Sequence, residues 1–384
     1  MSHNNLPNLI LFEGNPKVGF GGGQQVSLNV VKALKDDWNI HLVHFGQKGQ
    51  STQTFVNEIT PYLSSCNFLW MPHSKNTSST GSNISLKELL LSPLAYFLAF
   101  IKVLKLIKTH SKDKTLVYSA IKKGDLLAYF LKKLTGIKTL SHLHTVENHK
   151  GAFVYGILKT IYEAKDLTFS VSEYVKGSWD LSRTKVLPNP APNWNKSEKV
   201  HSSSHYKIGI IGHLIESKGT RIFLNDHAEL LLQADSPSFE VHCYGQGPQL
   251  EELSKSYPKV HFHGFISDIE KAFENIDIIV LPTSTPESFG MVLLEAAAKG
   301  IPGITTVVGG QEEVASKLWD AKTCYDYSRP SSFKESLDFV LENYETLSLK
   351  GRKETEEQFS ISSFNETVKK EFNRVFDKGD KTHS

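Results

Sequence analysis

Short apolar runs alternate with segments of helical spacing along the chain, and this alternation occurs in two successive halves. Apolar runs bounded by Gly, Pro or Asn predict strands, and the segments between them predict helices. The predicted strands cover residues 8–14, 39–45, 115–120, 138–144 and 167–172, then 207–212, 239–245, 259–265, 276–282 and 300–306. This order is typical of βαβ units, so the sequence predicts an α/β fold of two Rossmann-like, doubly wound domains.

Residues 191–206 separate the two halves, and their Pro, Asn and Ser content without periodicity predicts a linker. We therefore expect an N-terminal domain at 1–190 and a C-terminal domain at 207–358. A final helix at 359–378 is expected to pack back on the first domain. The two domains should face each other across a cleft, which is the default place for a ligand in such folds.

Composition limits the class of protein. The chain of 384 residues is 39% hydrophobic and 22% charged, as in ordinary globular proteins. Its cysteines, Cys66, Cys243 and Cys324, are far apart, which argues against a disulfide framework or a thiolate metal site. The N-terminal segment lacks the regions of a signal peptide, so we expect a protein of the reducing cytoplasm.

Charge is divided unevenly between the halves. Residues 1–190 contain 22 Lys and Arg against 12 Asp and Glu, whereas residues 191–384 contain 21 against 29, so the net charges are +10 and −8. A basic half is typical of a protein that contacts a phosphate-bearing ligand or an anionic lipid surface, although solvated lysines alone give the same count. No nucleic-acid motif accompanies the lysines, and we expect no nucleic-acid partner.

One segment has two interpretations. Residues 85–110 are apolar at first and then contain Lys102, Lys105 and Lys108, with Pro93 inside the apolar part. The uncharged run is too short for a helix that spans a membrane. It is either an interfacial helix that contacts an anionic membrane or a helix buried against the first sheet.

Two glycine-rich turns follow strands. FGGGQQ, with Gly21 and Gly22, opens a helix whose free N–H groups could bind phosphate, but it lacks the full dinucleotide-binding pattern. GHLIESKGT begins the second half in the same way and contains Lys218, a compact positive charge suited to phosphate. Taken alone, the first turn is equally compatible with a plain tight turn, and a lone loop lysine is usually only solvated.

The segment PESFGMVLLEAAAKG, residues 286–300, predicts a helix with Glu295 inside an apolar stretch and Glu287 just before it. A buried carboxylate requires a polar partner, which is either a Lys or Arg of the domain or a ligand diol. The first-turn amide donors are those of Phe289, Gly290 and Met291. With the helix dipole, they predict an anion site.

Glu287 and Glu295, seven residues apart with SFGMVLL between them, resemble the E-x7-E motif of retaining glycosyltransferases of family 4, which have the GT-B fold. Further stretches match this family in order: GGGQQVSLNVVKAL, HLHTVE, VSEYVK, LPN, GHLIESKG, YGQGP, GFISDI, VGGQEEV and FSISSF. The resemblance extends from about residue 8 to 376. The E-x7-E segment is specific for this family. The other stretches are individually weak matches, and they support the resemblance because they occur in the same order as in the family.

The resemblance implies a nucleotide-sugar donor held mostly by the second domain. It implies that Glu295 binds the ribose hydroxyls and that Glu287 binds the donor sugar. It also implies that Lys218 and the amides of residues 289–291 bind the diphosphate. It makes His144 the active-site histidine, with catalytic roles for His144, Glu287 and Lys218. The remaining donor-binding residues it implies are Gly21, Gly22, His213, Gly264, Phe265, Ile266 and Ser288.

One position departs from the family. His213 stands where the family usually has an Arg, so half of the usual cationic pair is missing or depends on pH, since imidazole titrates near neutrality. No Asp-x-Asp is present, and we expect no metal or other cofactor. The alternating pairs His142 with His144 and His261 with His263 lack further ligands at metal-site spacing, so we interpret all but His144 as structural.

The leading hypothesis is a metal-independent, retaining glycosyltransferase that uses a nucleotide-sugar, with a UDP-sugar favoured. By resemblance, the diphosphate oxygen takes the acceptor proton during front-face attack. The acceptor would be a glycan or a lipid-linked molecule of cell-envelope or exopolysaccharide synthesis, at the inner face of the cell membrane. The alternatives are a nucleotide-sugar epimerase of the same fold and a catalytically silent partner subunit.

Overall fold

The computed structural model describes residues 6–14, 21–46, 53–69, 86–146, 152–194, 205–232 and 238–377. The chain forms two compact units. The first comprises residues 1–171, 179–187 and 365–384, and the second comprises residues 172–178 and 188–364. Residues 195–204 of the predicted linker lie outside the described residues.

The first unit contains a parallel sheet of seven strands. They are β1 (Asn8–Glu13), β2 (Asn39–Phe45), β3 (Ser65–Leu69), β4 (Thr115–Ser119), β5 (Lys138–Leu143), β6 (Leu167–Ser170) and β7 (Thr184–Val186). Their order in the sheet is β3-β2-β1-β4-β5-β6-β7, and every pair is parallel. Every residue of β1 is buried, as expected for a parallel sheet covered on both faces.

Six helices accompany these strands within the described residues. They are α1 (Gly22–Leu34), α2 (Gln53–Ile59), α3 (Leu86–His110), α4 (Lys122–Thr135), α5 (Ala152–Glu163) and α6 (Glu173–Trp179). All but the last residue of α6 belong to the second unit. The α4 helix ends at Gly136, whose positive φ of 71° lets its N–H cap the carbonyl of Lys132.

A buried ion pair connects several of these elements. The Lys165 ammonium lies 3.8 Å from Oδ1 of Asp125 and donates a 2.9 Å bond to the Asp125 carbonyl. Ser141 and Tyr162 donate to the two oxygens of the same carboxylate, at 2.5 and 3.1 Å. Burial lowers the pKa of Lys165 to about 8. Because each buried charge has partners, the pair is tolerated inside the first unit.

Helix α3 has two different faces. Ala95, Ala99, Val103 and Ile107 are buried in the core of the first unit, at a spacing of four residues. The other side exposes Leu94, Phe97 and Leu98, with exposed fractions of 55%, 59% and 51%, and then Lys102, Lys105 and Lys108. The buried-helix interpretation therefore describes one face only. Among the described residues, no helix is long and apolar enough to cross a membrane.

The second unit contains a parallel sheet of six strands. They are β8 (His205–Ile211), β9 (Ser238–Tyr244), β10 (His261–Gly264), β11 (Ile278–Leu281), β12 (Gly303–Thr306) and β13 (Cys324–Tyr325). Their order is β10-β9-β8-β11-β12-β13. The strand order reverses between β8 and β11, as it does between β1 and β4 in the first unit. The prediction of two parallel, doubly wound α/β sheets is confirmed.

The remaining helices are α7 (Thr220–Leu231), α8 (Leu250–Ser256), α9 (Ile269–Glu274), α10 (Met291–Ala298), α11 (Gly310–Leu318), α12 (Ser331–Glu342), α13 (Tyr344–Glu357) and α14 (Ile361–Asp377). From residue 365 onward, α14 belongs to the first unit. There the Phe372 ring lies 5.3 Å from Tyr118, 6.2 Å from Phe169 and 6.5 Å from Trp38, measured between ring centroids. The end of the chain thus completes the core of the first unit.

Candidate functional site

The loops that follow β8 and β11 meet at the carboxyl edge of the second sheet. The two strands are neighbours at the point where the strand order reverses, which is where doubly wound domains bind ligands. Lys218 ends the short 3-10 turn Glu216–Lys218 after β8, and Glu287 lies between β11 and α10.

Lys218 and Glu287 form a bidentate ion pair. The Lys218 ammonium donates to both carboxylate oxygens of Glu287, at 2.9 and 3.0 Å, and Thr283 Oγ1 donates to one of them at 3.1 Å. The two charged side chains are 30% and 23% exposed. Charge-assisted bonds of this length fix the carboxylate in one orientation. An ammonium has three donors, so one of the three on Lys218 is left for a ligand.

The backbone around Lys218 is held against the loop that follows β11. Gly219 has a φ of 70°, and a Cβ there would lie 1.9 Å from the carbonyl oxygen of Pro282, so only glycine fits. The N–H of Ser284 donates to the Ser217 carbonyl at 3.2 Å, and Ser284 Oγ donates to the Glu216 carbonyl at 3.1 Å. These contacts place Lys218 beside Glu287.

A second glycine turn holds the backbone of Glu287. The N–H of Gly310 donates to the Glu287 carbonyl at 2.6 Å, and the Glu287 N–H donates to Gln311 Oε1 at 3.3 Å. Gly309 has φ 95° and ψ −158°, a conformation that glycine alone adopts readily. A Cβ at Gly309 would lie 2.6 Å from both N and O of Glu287. The position of the Glu287 carboxylate therefore depends on this turn.

Helix α10 begins just after Glu287. Gly290 caps it with a left-handed φ of 84°, and the amides of Met291 and Val292 have no carbonyl partner within the helix. Phe289 is buried, and the Ser288 carbonyl accepts a 2.7 Å bond from Ser172 Oγ. The positive end of the helix dipole thus lies next to the Lys218–Glu287 pair, in an arrangement suited to an anion.

Glu295 lies in the second turn of α10. Its Oε2 atom is buried and has no hydrogen-bond partner among the described residues, and none of the ion pairs found there includes it. Burial raises the pKa of Glu295 to about 7. The predicted alternative, an ion pair with a Lys or Arg of the domain, is therefore not found among the described residues. A buried carboxyl oxygen without a partner is uncommon and needs an explanation.

The turns at the ends of β9 and β10 adjoin the β8 loop. Gly245 donates to the carbonyl of Gly264 at 2.7 Å, and a Cβ at Gly245 would lie 1.9 Å from the carbonyl oxygen of Gly212. After Gly264, the Phe265 side chain is 68% exposed and Ile266 is partly buried. Gly264, Phe265 and Ile266, which were predicted to border the nucleotide base, therefore follow one another at the end of β10. Their position is fixed by the hydrogen bond between Gly264 and Gly245 of the β9 turn.

His213 is an exposed residue of the loop after β8. Arg221, the nearest arginine in sequence, instead forms a bidentate pair with Glu252 on α8. Neither residue is paired with Glu287 in the described structure, so Lys218 is the only cation that contacts this carboxylate among the described residues.

In the first unit, His144 follows β5 and lies against the N-terminal turn of α1. A Cβ at Gly23 would lie 3.7 Å from the His144 ring, and that ring is 4.3 Å from the ring of His142. His144 Nε2 is buried and has no partner among the described residues, and burial lowers the pKa of His144 to about 4. The imidazole is therefore neutral at pH 7. Gly21 caps α1, and its N–H donates to Gln24 Oε1 at 3.2 Å.

The structure thus brings Lys218, Glu287 and residues 288–291 together in the second unit. Glu295 lies on α10, the helix that begins at Met291. Gly21, Gly22 and His144 lie in the first unit, where α1 and the end of β5 meet. Sequence reasoning missed the residues that position these groups: Gly23, Thr283, Gly309, Gly310 and Gln311. The VGGQEEV stretch was visible as a family match, but no role was assigned to its glycines.

Part of the second unit matches a known protein family. Residues 205–343 match the family model described as glycosyl transferases group 1. The match runs from β8 to the end of α12, so it includes Lys218, Glu287 and Glu295. This part of the chain is therefore similar to group 1 glycosyl transferases.

Two curated relatives match about half of the chain. N-acetyl-alpha-D-glucosaminyl L-malate synthase of Bacillus anthracis is 28% identical over 214 residues, covering 55% of this chain and 52% of that protein. Sulfoquinovosyl transferase SQD2 of Arabidopsis thaliana is 25% identical over 225 residues, covering 53% and 43%. The chain thus spans about half the length of the curated relatives it matches.

A solved structure matches nearly the whole chain. Anabaena HepE in complex with UDP and glucose superposes with a TM-score of 0.73 at 15% identity, covering 96% of this chain and 100% of HepE. At this identity the likeness establishes the fold alone. The predicted GT-B fold is confirmed.

The turn at Gly309 is expected to be intolerant of a side chain. Gly309→Ala should lower the free energy of unfolding of the second unit by about 2 kcal/mol or more, because it adds a strained backbone conformation and a contact with Glu287. Urea denaturation followed by circular dichroism measures this. The control is Gly177→Ala, where a Cβ meets nothing within 4 Å. Equal stability of the two variants would contradict the role given to Gly309.

Glu295 should make stability depend on pH. Because its pKa rises from an ordinary 4.5 to about 7 on folding, its contribution is present below pH 4.5 and lost as pH rises through 7. Relative to Glu295→Gln, the wild type should lose about 3 kcal/mol between pH 4.5 and pH 8. Urea denaturation across this range, with the exposed residue variant Glu251→Gln as control, measures the difference. Parallel profiles of wild type and Glu295→Gln would refute the assignment.

Proposed function

We propose that this protein is a retaining, metal-independent glycosyltransferase of family 4 that transfers a sugar from a nucleotide-sugar to a glycan or lipid-linked acceptor. The observation that carries the proposal is the Lys218–Glu287 pair, fixed beside the N-terminus of α10. It combines a cation, free amide donors and a carboxylate acceptor within one short segment. A sugar diphosphate presents the complementary groups, namely phosphate oxygens and sugar hydroxyls.

The diphosphate is assigned to Lys218 and the start of α10. The third ammonium donor of Lys218 and the amides of Met291 and Val292 in the first turn of α10 are assigned to the phosphate oxygens. The amides of Phe289 and Gly290, which the sequence placed in that turn, precede the helix and are assigned to the same diphosphate. Glu287, held through its backbone by residues 309–310, is assigned to the hydroxyls of the transferred sugar. Since these groups are fixed before the ligand arrives, little reorganisation would be needed on binding.

The ribose is assigned to Glu295. Its buried Oε2 lacks a partner among the described residues, and a ribose diol could donate hydrogen bonds to both oxygens of the ionised carboxylate. Such bonds favour the ionised form, so the donor should bind more tightly above pH 7 than below it. The loop Gly264–Ile266, beside the β9 turn, is assigned to the base, and exposed His213 to the position of the usual arginine.

The reaction follows from where charge develops. As the bond between the sugar carbon and the diphosphate oxygen breaks, the ring becomes positive and the leaving diphosphate negative. Lys218 and the α10 amides would stabilise the leaving group, which is commonly the largest catalytic contribution. The acceptor hydroxyl forms the new bond on the same face, and its proton passes to the departing diphosphate oxygen. Neutral His144, with Gly21 and Gly22, is assigned to the donor from the first unit.

The relatives support a nucleotide-sugar donor. HepE was crystallised with UDP and glucose, and the two curated relatives are named as an N-acetyl-alpha-D-glucosaminyl L-malate synthase and a sulfoquinovosyl transferase. We therefore favour UDP over GDP as the nucleotide.

The acceptor is assigned to a molecule at an anionic membrane surface of the cell envelope, because of the exposed face of α3. Leu94, Leu98, Lys102, Lys105 and Lys108 follow one another at steps of three or four residues, so they share one exposed helix face. Apolar residues at one end and lysines at the other suit contact with acidic lipid headgroups. A lipid-phosphate-linked acceptor in envelope or exopolysaccharide synthesis fits such a face.

The donor site can be tested without knowing the acceptor. Thermal unfolding is measured with UDP, GDP and their sugars in the presence of EDTA, because a ligand that binds the native state raises its melting temperature. Glu295→Ala should weaken nucleotide binding about 10- to 100-fold, the effect of hydrogen bonds to a charged group. Glu287→Ala should instead lower the rate of UDP release from the donor by about 100-fold.

The control for both variants is Glu251→Ala, an exposed glutamate of the same unit. Wild-type kinetics in both variants would refute the two assignments. No stabilisation by any nucleotide would favour a catalytically silent partner subunit, and conversion of the donor to its epimer without sugar transfer would favour the epimerase.

Membrane contact should depend on the α3 lysines. Replacing Lys102, Lys105 and Lys108 with Gln should weaken binding to vesicles rich in phosphatidylglycerol on the order of 100-fold, at about 1 kcal/mol per lysine. Vesicle co-sedimentation at low and high salt measures it. The matched control replaces three exposed lysines of the second unit: Lys255, Lys334 and Lys353. Equal binding by both triple variants would show that the exposed face of α3 does not contact lipid.

A further inference from the structure

Lys207 of β8 is the register partner of Glu240 on one face of the second sheet. On the same face, four histidines and one glutamate gather on β8, β9 and edge strand β10. They are His205, Glu240, His242, His261 and His263. None of them is assigned to the proposed donor site.

The sheet register explains why these side chains meet. His242 of β9 and His261 of β10 are Cα partners in parallel strands, so their side chains point to the same face. Glu240 lies two residues from His242 and shares that face. His263 lies at an irregularity of the register between Phe262 and Gly264, and its ring reaches the same face, where it stacks on Tyr244 at 4.3 Å. The intervening Val241 and Cys243 are fully buried on the other face. The histidine rings are stacked, with 4.7 Å between His242 and His261 and 5.2 Å between His242 and His263.

We propose that Glu240, His242 and His261 bind a divalent transition metal ion of the zinc class. One ligand atom from each side chain lies within 4.8 Å of the other two. In a tetrahedral zinc site, nitrogen and oxygen ligands are about 3.4 Å apart, given metal–ligand distances near 2.1 Å. The ligand atoms must approach by little more than 1 Å by this estimate, and exposed His261 can do so by side-chain rotation. Two imidazoles and one carboxylate leave a fourth position for water.

The neighbouring side chains already make the hydrogen bonds that orient metal ligands. His242 Nε2 lies 3.1 Å from Glu240 Oε2, and its other nitrogen, Nδ1, lies 3.0 Å from His263 Nε2. The second carboxylate oxygen of Glu240 lies 3.0 Å from His205 Nε2. Ligating histidines generally use their second nitrogen in this way, which fixes the tautomer and the ring orientation. His205 and His263 thus act as positioning residues.

The proposed metal would join the edge strand β10 to β9. The present contacts between these strands on this face are stacked rings and one His–His hydrogen bond. A metal ion would add bonds from both strands to one centre, so binding should stabilise the second unit. The proposal does not depend on the proposed function, because it uses none of the donor-site residues.

The test uses the full chain without a histidine tag, freed of metal with a chelator that is then removed. Isothermal titration with Zn²⁺, and with Co²⁺ followed by visible absorption, should show one saturable site per chain. His261→Ala, whose side chain is exposed, and Glu240→Gln should abolish this site. His263→Ala should weaken it about tenfold, as is usual for loss of a hydrogen-bonding neighbour of a ligand.

The control is His110→Ala, an imidazole of the first unit that should leave binding unchanged. Circular dichroism of each metal-free variant shows whether it is folded, and exposed His261 supplies a variant that does not disturb the core. Absence of saturable binding by the wild type would overturn the proposal. So would binding of the same stoichiometry and affinity in His261→Ala and Glu240→Gln, because the metal would then be held elsewhere.

Discussion

The pairing of β8 with β11 is the contact on which the candidate site depends. Ile208 and Gly209 pair with Ile278 and Ile279, although a strand order that followed the sequence would place β10 beside β11. A Cβ at Gly209 would lie 2.6 Å from the Ile276 side chain, so the core leaves no room for a larger residue there. Because the two strands are adjacent, the loop containing Lys218 and the loop containing Glu287 leave the sheet side by side. The ion pair follows from the topology.

In the candidate site, the main chain holds the loops in place and the side chains supply the charge. Glycine turns and carbonyl–amide bonds hold the loops after β8, β9, β10 and β11 against one another, so the backbone supplies the rigidity. Only a few side chains then need to supply charge. This arrangement explains how a buried Glu295 oxygen can lack a partner within the part of the chain that the structure describes. The helix that holds it is stabilised by apolar packing of Leu293, Leu294, Ala296 and Ala297. The packing of the surrounding residues thus offsets the unfavourable burial of the Glu295 carboxyl group.

Much of the fold could be predicted from the sequence, because buried parallel strands are apolar along their whole length, as in β1 and β11. The strands that were missed, β3, β7 and β13, lie at sheet edges and are only partly buried, so they lack that pattern, and β7 and β13 are only three and two residues long. Glu287, Glu295 and Lys218 were visible as charged residues in unusual local contexts. The contact of Lys218 with Glu287 was not, because it depends on the strand order. The cluster around His242 was missed for the same reason: the His-x-His pattern of β10 is local, whereas Glu240 joins it only through the register of β9 and β10.

The division of the chain between the units has a consequence for biosynthesis. The polypeptide leaves the first unit after residue 171, returns for residues 179–187, and contributes its last piece from residue 365. A ribosome therefore finishes the whole sheet of the second unit before it makes Phe372, the ring that packs on Tyr118 and Phe169 in the first. The half that is synthesised first is completed last. Until Phe372 is made, the nascent core of the first unit lacks this ring and leaves aromatic surface uncovered, which raises the risk of aggregation while the second unit is being synthesised.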